Sequence, residues 1–178
     1  MKATLFRLST LALGVTLLLA NPASAEPAVQ GQVKFGVHVP TYLGGFNVPN
    51  FQIQGGTYCP DHSLSVFVLG GQGGLDNSAP GVDIFERGAG TCHTASQSDS
   101  PVVFATVTIN GLVATVSTSC FKIQRSACTT ARIPKFGGHI SWTFPASGKY
   151  QATQIIVDGY NVSYQTLLRI ARGVRTTL

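Results

Sequence analysis

The sequence feature that most constrains the fold is the pair Asn110-Gly111, which stands between two runs rich in β-branched residues. Both residues tolerate the positive φ angles of a type I′ turn, and this turn matches the twist of two antiparallel strands. The flanking runs, Val102–Ile109 and Leu112–Thr118, have the length of ordinary strands. The pair therefore predicts a β-hairpin and, with it, an antiparallel sheet.

Other runs rich in Val, Ile and aromatic residues predict the remaining strands, because these side chains favour a pleated backbone. Ile140, Trp142 and Phe144 alternate with polar residues and are predicted to face the core, which leaves His139 on the surface. The pair Asp158-Gly159 is predicted to turn the chain. The predicted strands are Val33–Val39 (ended by Pro40), Phe51–Gln54, Ser63–Leu69, Val82–Glu86, His139–Phe144 and Tyr150–Val157.

One helix is predicted near the end of the chain. Ser163 is a suitable N-cap, because its hydroxyl can accept a hydrogen bond from the first helical turn. The fold class is therefore α+β: a mostly antiparallel β-sheet, stapled by disulfides, with one C-terminal amphipathic helix on one face. The apolar stripe of this helix consists of Tyr164, Leu167, Leu168, Ala171 and Val174.

Residues 1–25 have the three parts of a secretory signal. Lys2 and Arg7 precede the apolar segment Leu8–Ala20, and Ala23-Ser24-Ala25 fits the small-residue cleavage rule. An uncleaved anchor is the alternative, but the apolar segment is shorter than the roughly 20 residues that span a bilayer. We expect cleavage after Ala25 and a secreted or extracytoplasmic protein.

The expected mature chain has a flexible segment over 26–32 and a single β-rich domain over 33–178, without a membrane span. A chain of about 150 residues can bury a sufficient core as one domain. Positive charge is concentrated between Lys122 and Arg175, where eight basic residues accompany one acid, Asp158. Such a face either contacts an anionic envelope polymer or lipid head groups, or is simply a solvated charged surface.

The four cysteines all follow the cleavage site, and an even number in an exported chain favours two disulfides. Three pairings are possible, and the preferred one joins Cys59 to Cys92 and Cys120 to Cys128. Structural zinc is the alternative, but zinc sites usually include a C-x₂₋₄-C pair, and the spacings here are wider. We expect no metal and no cofactor.

No catalytic motif stands out from the sequence. The four histidines lack a local metal-ligand spacing, and no G-x-S-x-G sequence occurs. One enzymatic alternative is a Ser-His-Asp triad assembled from distant residues, and another is a pair of carboxylates. The residues considered are His62 or His93 with Asp61, Asp83 or Asp99 for the triad, and Asp76, Asp83 and Glu86 for the carboxylates.

Several segments occur in the order typical of one known family. The segment Val39-Pro40-x-Tyr42-Leu43-x-Gly45-Phe46 resembles the "VP-x-YLP-x-GF" opening of a bacterial extracytoplasmic domain family of unknown function. That family is often attached to anti-sigma-factor-like membrane proteins and envelope lipoproteins. The runs Val82–Glu86, Val107–Gly111, Ile140–Trp142 and Val162–Ala171 are similar to its later segments. The resemblance implies a non-enzymatic envelope domain and supplies no catalytic residues.

These observations favour an exported, non-enzymatic binding or structural module that contacts an envelope component or a protein. No nucleic-acid partner is expected, because basic and aromatic residues do not interleave. The alternative is a small secreted hydrolase whose Ser, His and Asp come from distant positions, and a secreted inhibitor is a third possibility. The oligomeric state stays open. The candidate binding surface consists of Tyr42, Phe46, Arg169, Arg172 and Arg175.

Overall fold

The computed structural model describes residues 33–46, 50–56, 59–70, 79–90, 102–120 and 128–176. Nine strands form in these ranges. Seven of them make one antiparallel sheet, and the first and last strands pair with each other. The strands are β1 (His38–Pro40), β2 (Asn50–Gly56), β3 (Cys59–Gly70), β4 (Gly81–Gly88), β5 (Val102–Ile109), β6 (Leu112–Thr118), β7 (Gly138–Phe144), β8 (Thr153–Tyr160) and β9 (Val174–Thr176). The order in the large sheet is β2-β3-β4-β8-β7-β6-β5.

Two short helices accompany the sheet in the described ranges. Helix α1 (Ile133–Phe136) follows a 3-10 turn at Thr130–Arg132, and helix α2 (Tyr164–Gly173) precedes β9. The prediction of a mostly antiparallel sheet with a helix near the C-terminus is confirmed. Helix α1 was not predicted, because a single turn is too short to show a helical period.

The hairpin predicted from Asn110-Gly111 is present. Strands β5 and β6 pair up to Ile109 and Leu112, and the turn residues have φ angles of 51° at Asn110 and 82° at Gly111. These positive angles explain why this pair stands at the turn. The strand bounds are those that the sequence predicts.

Helix α2 buries its apolar stripe against β7 and β8. Its N-terminus is capped as predicted, because the Thr166 N–H donates to Ser163 Oγ at 3.1 Å. Leu167 and Ala171 of the predicted stripe are fully buried, and so is Ile170, which the prediction did not include. The stripe is wider than predicted because β1 and β9 cover a second side of the helix.

Two glycines face each other across β7 and β8 where α1 and α2 approach the sheet. Gly138 pairs with Gly159. A Cβ atom at Gly138 would lie 2.6 Å from Ile133 Cγ2, and one at Gly159 would lie 2.7 Å from Leu167 Cδ1. Both distances are too short for real contacts, so glycine at these positions lets the two helices pack directly on the strands.

Several strand boundaries differ from the prediction, and two of the differences have a clear physical reason. Strand β8 does not turn at Asp158-Gly159 but continues to Tyr160, and the chain turns at Asn161, whose φ is 52°. The glycine at 159 is there for close packing, which gives the same sequence signal as a turn. The first predicted strand is also shorter, since only His38–Pro40 pairs with β9. Both strands of this two-stranded sheet are edge strands, in which proline is tolerated.

A buried carboxylate holds the N-terminal segment to the sheet. Glu86 of β4 is fully buried, and the His38 N–H donates to both of its carboxylate oxygens, at 3.1 and 3.0 Å. The His38 ring is also buried and stacks on Phe144 with 4.1 Å between ring centroids. The backbone hydrogen bonds therefore satisfy a charge that would be costly to bury without partners.

Cys120 and Cys128 form a disulfide with 6.0 Å between their Cα atoms, which confirms half of the preferred pairing. The other half, Cys59–Cys92, stays a prediction, because Cys92 lies outside the described residues and the Cys59 side chain is not described; the signal segment 1–25 and the segment 26–32 also lie outside the described residues. Within the described ranges, no helix is long and apolar enough to cross a membrane.

Replacing Gly159 by alanine should destabilise the protein, because the new methyl group would press on Val162 and Leu167. We expect a loss of about 1–3 kcal/mol in the free energy of unfolding, the usual cost of overpacking a core. Gly36→Ala is the matched control, since its Cβ would meet nothing closer than 3.7 Å. Urea unfolding of both variants measures the difference, and equal stability of the two would contradict this packing.

Candidate functional site

Polar residues lie side by side on the face of the sheet that α2 does not cover. Gly159 contacts α2, so its neighbour Asp158 points to the opposite face, because side chains alternate along a strand. Asp158 pairs in register with Asp83 of β4 on one side and with His139 of β7 on the other. Residues directly opposite each other share a face. Three adjacent strands thus bring two carboxyl groups and an imidazole together.

A pocket of about 280 Å³ opens beside this row. Its volume is just below the range of about 300–1,000 Å³ that is usual for small-molecule sites. The sheet supplies the acidic wall, and α1 with the residue after it supplies a lysine, an aromatic ring and backbone. The lining residues are Asp83, Ser119, Pro134, Lys135, Phe136, Gly137, His139, Asp158, Gly159, Tyr160 and Asn161.

Asp83 is the buried acid of the pocket. Its side chain has one satisfied oxygen, since the Tyr160 hydroxyl donates to Oδ2 at 2.9 Å. Its Oδ1 is buried and has no hydrogen-bond partner among the described residues. Burial raises the pKa of Asp83, and the nearby charge of Asp158 raises it further, against the opposing effect of the Tyr160 hydrogen bond. Asp83 therefore lines the pocket with one oxygen satisfied and one buried and unsatisfied, a feature that is uncommon in native structures.

Tyr160 is held as a hydrogen-bond donor. Burial raises the pKa of its hydroxyl strongly, and the hydrogen bond to Asp83 and the charges of Asp83 and Asp158 act in the same direction. The phenol consequently keeps its proton over the whole physiological range. It fixes the orientation of the Asp83 carboxyl group and leaves Oδ1 free to accept a second donor.

His139 connects Asp158 with a serine. Its Nδ1 lies 2.6 Å from Asp158 Oδ1, and its Nε2 lies 3.3 Å from Ser119 Oγ. In the tautomer with the proton on Nδ1, that N–H donates to the Asp158 carboxylate and Nε2 accepts from the Ser119 hydroxyl. His139 points away from the Trp142 face, as predicted, and its side chain is partly exposed, at 23%, in the wall of the pocket.

The enzymatic candidates named from the sequence are not those that the structure brings together. Asp83 and Glu86 lie on opposite faces of β4, because they are three positions apart along the strand, so they cannot act as a carboxylate pair. His62 and His93 belong to parts of the chain whose side chains the structure does not describe. The same holds for Asp61, Asp76 and Asp99.

The predicted binding surface lies on the far side of α2 from the pocket. The Arg169 guanidinium stands over the Tyr42 ring, 4.4 Å from its centroid, and Phe46 packs partly buried against the core. Arg175 donates to Asn110 Oδ1, and Arg172 is exposed. A binding role for this surface stays a prediction. Charge reversal at Arg172 is the cleanest test, because it leaves the contacts of the other arginines intact.

Comparisons with known proteins give no match: no protein-family model, no curated protein and no solved structure matches this chain. The resemblance to the envelope domain family therefore stays a prediction. In the described part of the chain, no three or more His, Cys, Asp or Glu residues are arranged to hold a metal ion. Function is accordingly inferred from the geometry of the pocket.

Replacing Asp83 by asparagine should change how stability depends on pH. The pKa of Asp83 is raised above its ordinary value of 3.8 in the folded protein. Its contribution to stability is therefore complete below pH 3.8 and is lost as the pH rises through the raised pKa. Asp83→Asn removes this loss, so the variant should gain stability relative to the wild type as the pH rises from 3 to 8.

Urea unfolding at a series of pH values measures this effect. Tyr160→Phe is the informative companion, because it removes the hydrogen bond that lowers the pKa of Asp83. That variant should show a steeper loss of stability with rising pH than the wild type. Parallel pH curves for the wild type and Asp83→Asn would show that Asp83 does not pay a desolvation cost in the fold.

Proposed function

We propose that the protein is an exported binding module that holds a sugar unit of an envelope polysaccharide in this pocket. The observation that carries the proposal is Asp83, a residue that lines the pocket and whose buried carboxylate oxygen Oδ1 has no hydrogen-bond partner among the described residues. A sugar hydroxyl is a donor of the right kind for it. A hydrogen bond to an ionised carboxylate is also among the stronger ones in proteins.

The remaining walls of the pocket fit the same class of ligand. Lys135 offers an ammonium donor to hydroxyl or carbonyl oxygens, and Tyr160 and Phe136 offer ring surface to the apolar C–H face of a sugar. Pockets that combine aromatic surface with a few fixed polar groups are typical of small-molecule sites. The ligand gains orientation from the polar groups and burial from the rings.

Two features support a location outside the cytoplasm. The signal-like segment 1–25 predicts export. The Cys120–Cys128 disulfide suits an oxidising compartment, where such bonds persist. An exported domain meets polysaccharides of the cell envelope at high local concentration, and these supply the hydroxyl-rich units that the pocket chemistry favours.

Two lysines provide a matched test of the pocket. Lys135 and Lys149 are both exposed, and each ammonium group lies over the ring of the following residue, at 5.4 and 5.3 Å from the centroid. Only Lys135 lines the proposed site. We expect Lys135→Gln to weaken binding of an N-acetylglucosamine disaccharide several-fold and Lys149→Gln to leave it unchanged, as measured by isothermal titration calorimetry.

Asp83→Asn should weaken the same binding by about 10–100-fold, the range expected for a lost hydrogen bond to a charged group. A donor ligand prefers the ionised carboxylate, so affinity for the wild type should also fall as the pH decreases through the raised pKa of Asp83. Affinity that is independent of pH, or an equal loss in both lysine variants, would contradict the proposal. The proposal would also be contradicted if the protein bound no disaccharide from a panel made of glucose, galactose and N-acetylglucosamine units.

A further inference from the structure

The pocket contains a chain of hydrogen bonds that sugar binding alone does not require. Asp158 Oδ1 lies 2.6 Å from His139 Nδ1, and Ser119 Oγ lies 3.3 Å from His139 Nε2. In the tautomer with the ring proton on Nδ1, Asp158 accepts from that N–H and Nε2 accepts from the Ser119 hydroxyl. All three residues line the same cavity. A carboxylate that orients an imidazole, and an imidazole that accepts a serine proton, form the arrangement that activates serine as a nucleophile. The triad recognised in unrelated folds is defined by this geometry and not by sequence order.

We propose that Ser119, His139 and Asp158 hydrolyse an ester borne by the sugar in the pocket, which makes the protein an esterase acting on O-acylated sugars. The inference rests on the proposed function, since the sugar must first occupy the site beside Asp83. It goes further because it assigns a reaction and a nucleophile to the pocket.

The reaction balances with water as the only co-reactant. Ser119 Oγ attacks the ester carbonyl carbon and gives its proton to His139 Nε2. The C–O bond to the sugar then breaks, and the sugar oxygen leaves with the proton from His139. Water next attacks the acyl-serine and passes a proton to His139, which returns it to Ser119 as the carboxylic acid departs.

The fold fixes the nucleophile on both sides. The Thr118 hydroxyl donates to the Gly137 carbonyl at 2.6 Å, which anchors the end of β6 against α1. On the other side, Cys120 directly follows Ser119 and is tied to Cys128 by a disulfide. Ser119 stands between these two anchors. Fixed nucleophiles react faster, because little motion must be restricted to reach the reactive geometry.

The negative oxygen that forms during attack needs a positive or hydrogen-bonding partner. Lys135 is the cationic side chain among the residues that line the pocket. Lys135 lies on α1. This helix ends at a hydrogen bond that the Gly137 N–H donates to the Ile133 carbonyl, at 2.9 Å. The structure thus supplies a nucleophile, a base, an orienting acid and a cation around one cavity.

The experiment uses the mature chain, residues 26–178, with p-nitrophenyl acetate and glucose pentaacetate as probes. Wild-type protein should release acetate from both, and a fluorophosphonate should label Ser119, as located by peptide mass spectrometry. Ser119→Ala should lower the rate of acetate release by more than about 10³-fold and abolish labelling. Ser117→Ala is the matched control, since Ser117 lies directly opposite His139 in the register but outside the pocket lining.

Asp158 acts as a positioning residue, because it reaches the substrate only through His139. Asp158→Asn should therefore lower kcat by about 10²–10⁴-fold with little change in KM, and Asp158→Glu should restore part of kcat. A purely structural role would instead lower the melting temperature and affect both parameters through loss of folded protein. Circular dichroism melting of each variant separates these two results.

The outcomes separate this inference from the binding proposal. Wild-type protein that binds the disaccharide but neither releases acetate nor takes the label at Ser119 overturns the esterase inference and leaves the binding proposal standing. Acetate release that depends on Ser119, without any disaccharide binding, supports the triad and overturns the sugar as its substrate class. Equal activity in Ser119→Ala and Ser117→Ala also overturns the inference.

Discussion

The alternation of side chains along β8 is the constraint on which the rest of the structure depends. From Thr153 to Tyr160, every second residue is buried and those between are only partly so. The buried set faces α2, and two residues of the other set, Asp158 and Tyr160, line the pocket. A shift of one residue in register would exchange the two sets. The packing of α2 against Gly159 and the position of Asp158 beside His139 are thus consequences of one register.

The pocket reduces the stability of the folded protein, and the reduction is electrostatic. Asp83 loses much of its hydration and lies beside a second carboxyl group, and both effects disfavour its ionised form. A residue selected only for stability at this position would be apolar or fully hydrogen-bonded. Groups whose pKa is shifted by burial and by a neighbouring like charge are concentrated at functional sites. Such groups lack some of their hydrogen-bond partners when no ligand is bound.

Much of the fold could be predicted from local sequence, and the site could not. Asn110-Gly111 requires positive φ angles, and Ser163 with its apolar stripe defines α2, so both elements follow from short-range chemistry. Gly159 misled the prediction, because a glycine needed for close packing has the same sequence signal as one needed for a turn. That error ended β8 too early and hid Asp158. The pairing of Ser119, His139 and Asp158 depends on which strands are neighbours, and strand order is not encoded in any local pattern.

The pairing of β1 with β9 has a consequence for the order in which the protein folds. His38 and Thr176 stand opposite each other although almost the whole domain separates them along the chain. Closing so long a loop is entropically unfavourable until other contacts have brought its ends together. The β5–β6 hairpin closes over two residues and suits an early nucleus, whereas we expect the pairing of the first and last strands to form late. The contact between the Glu86 carboxylate and the His38 N–H is then expected to form late as well.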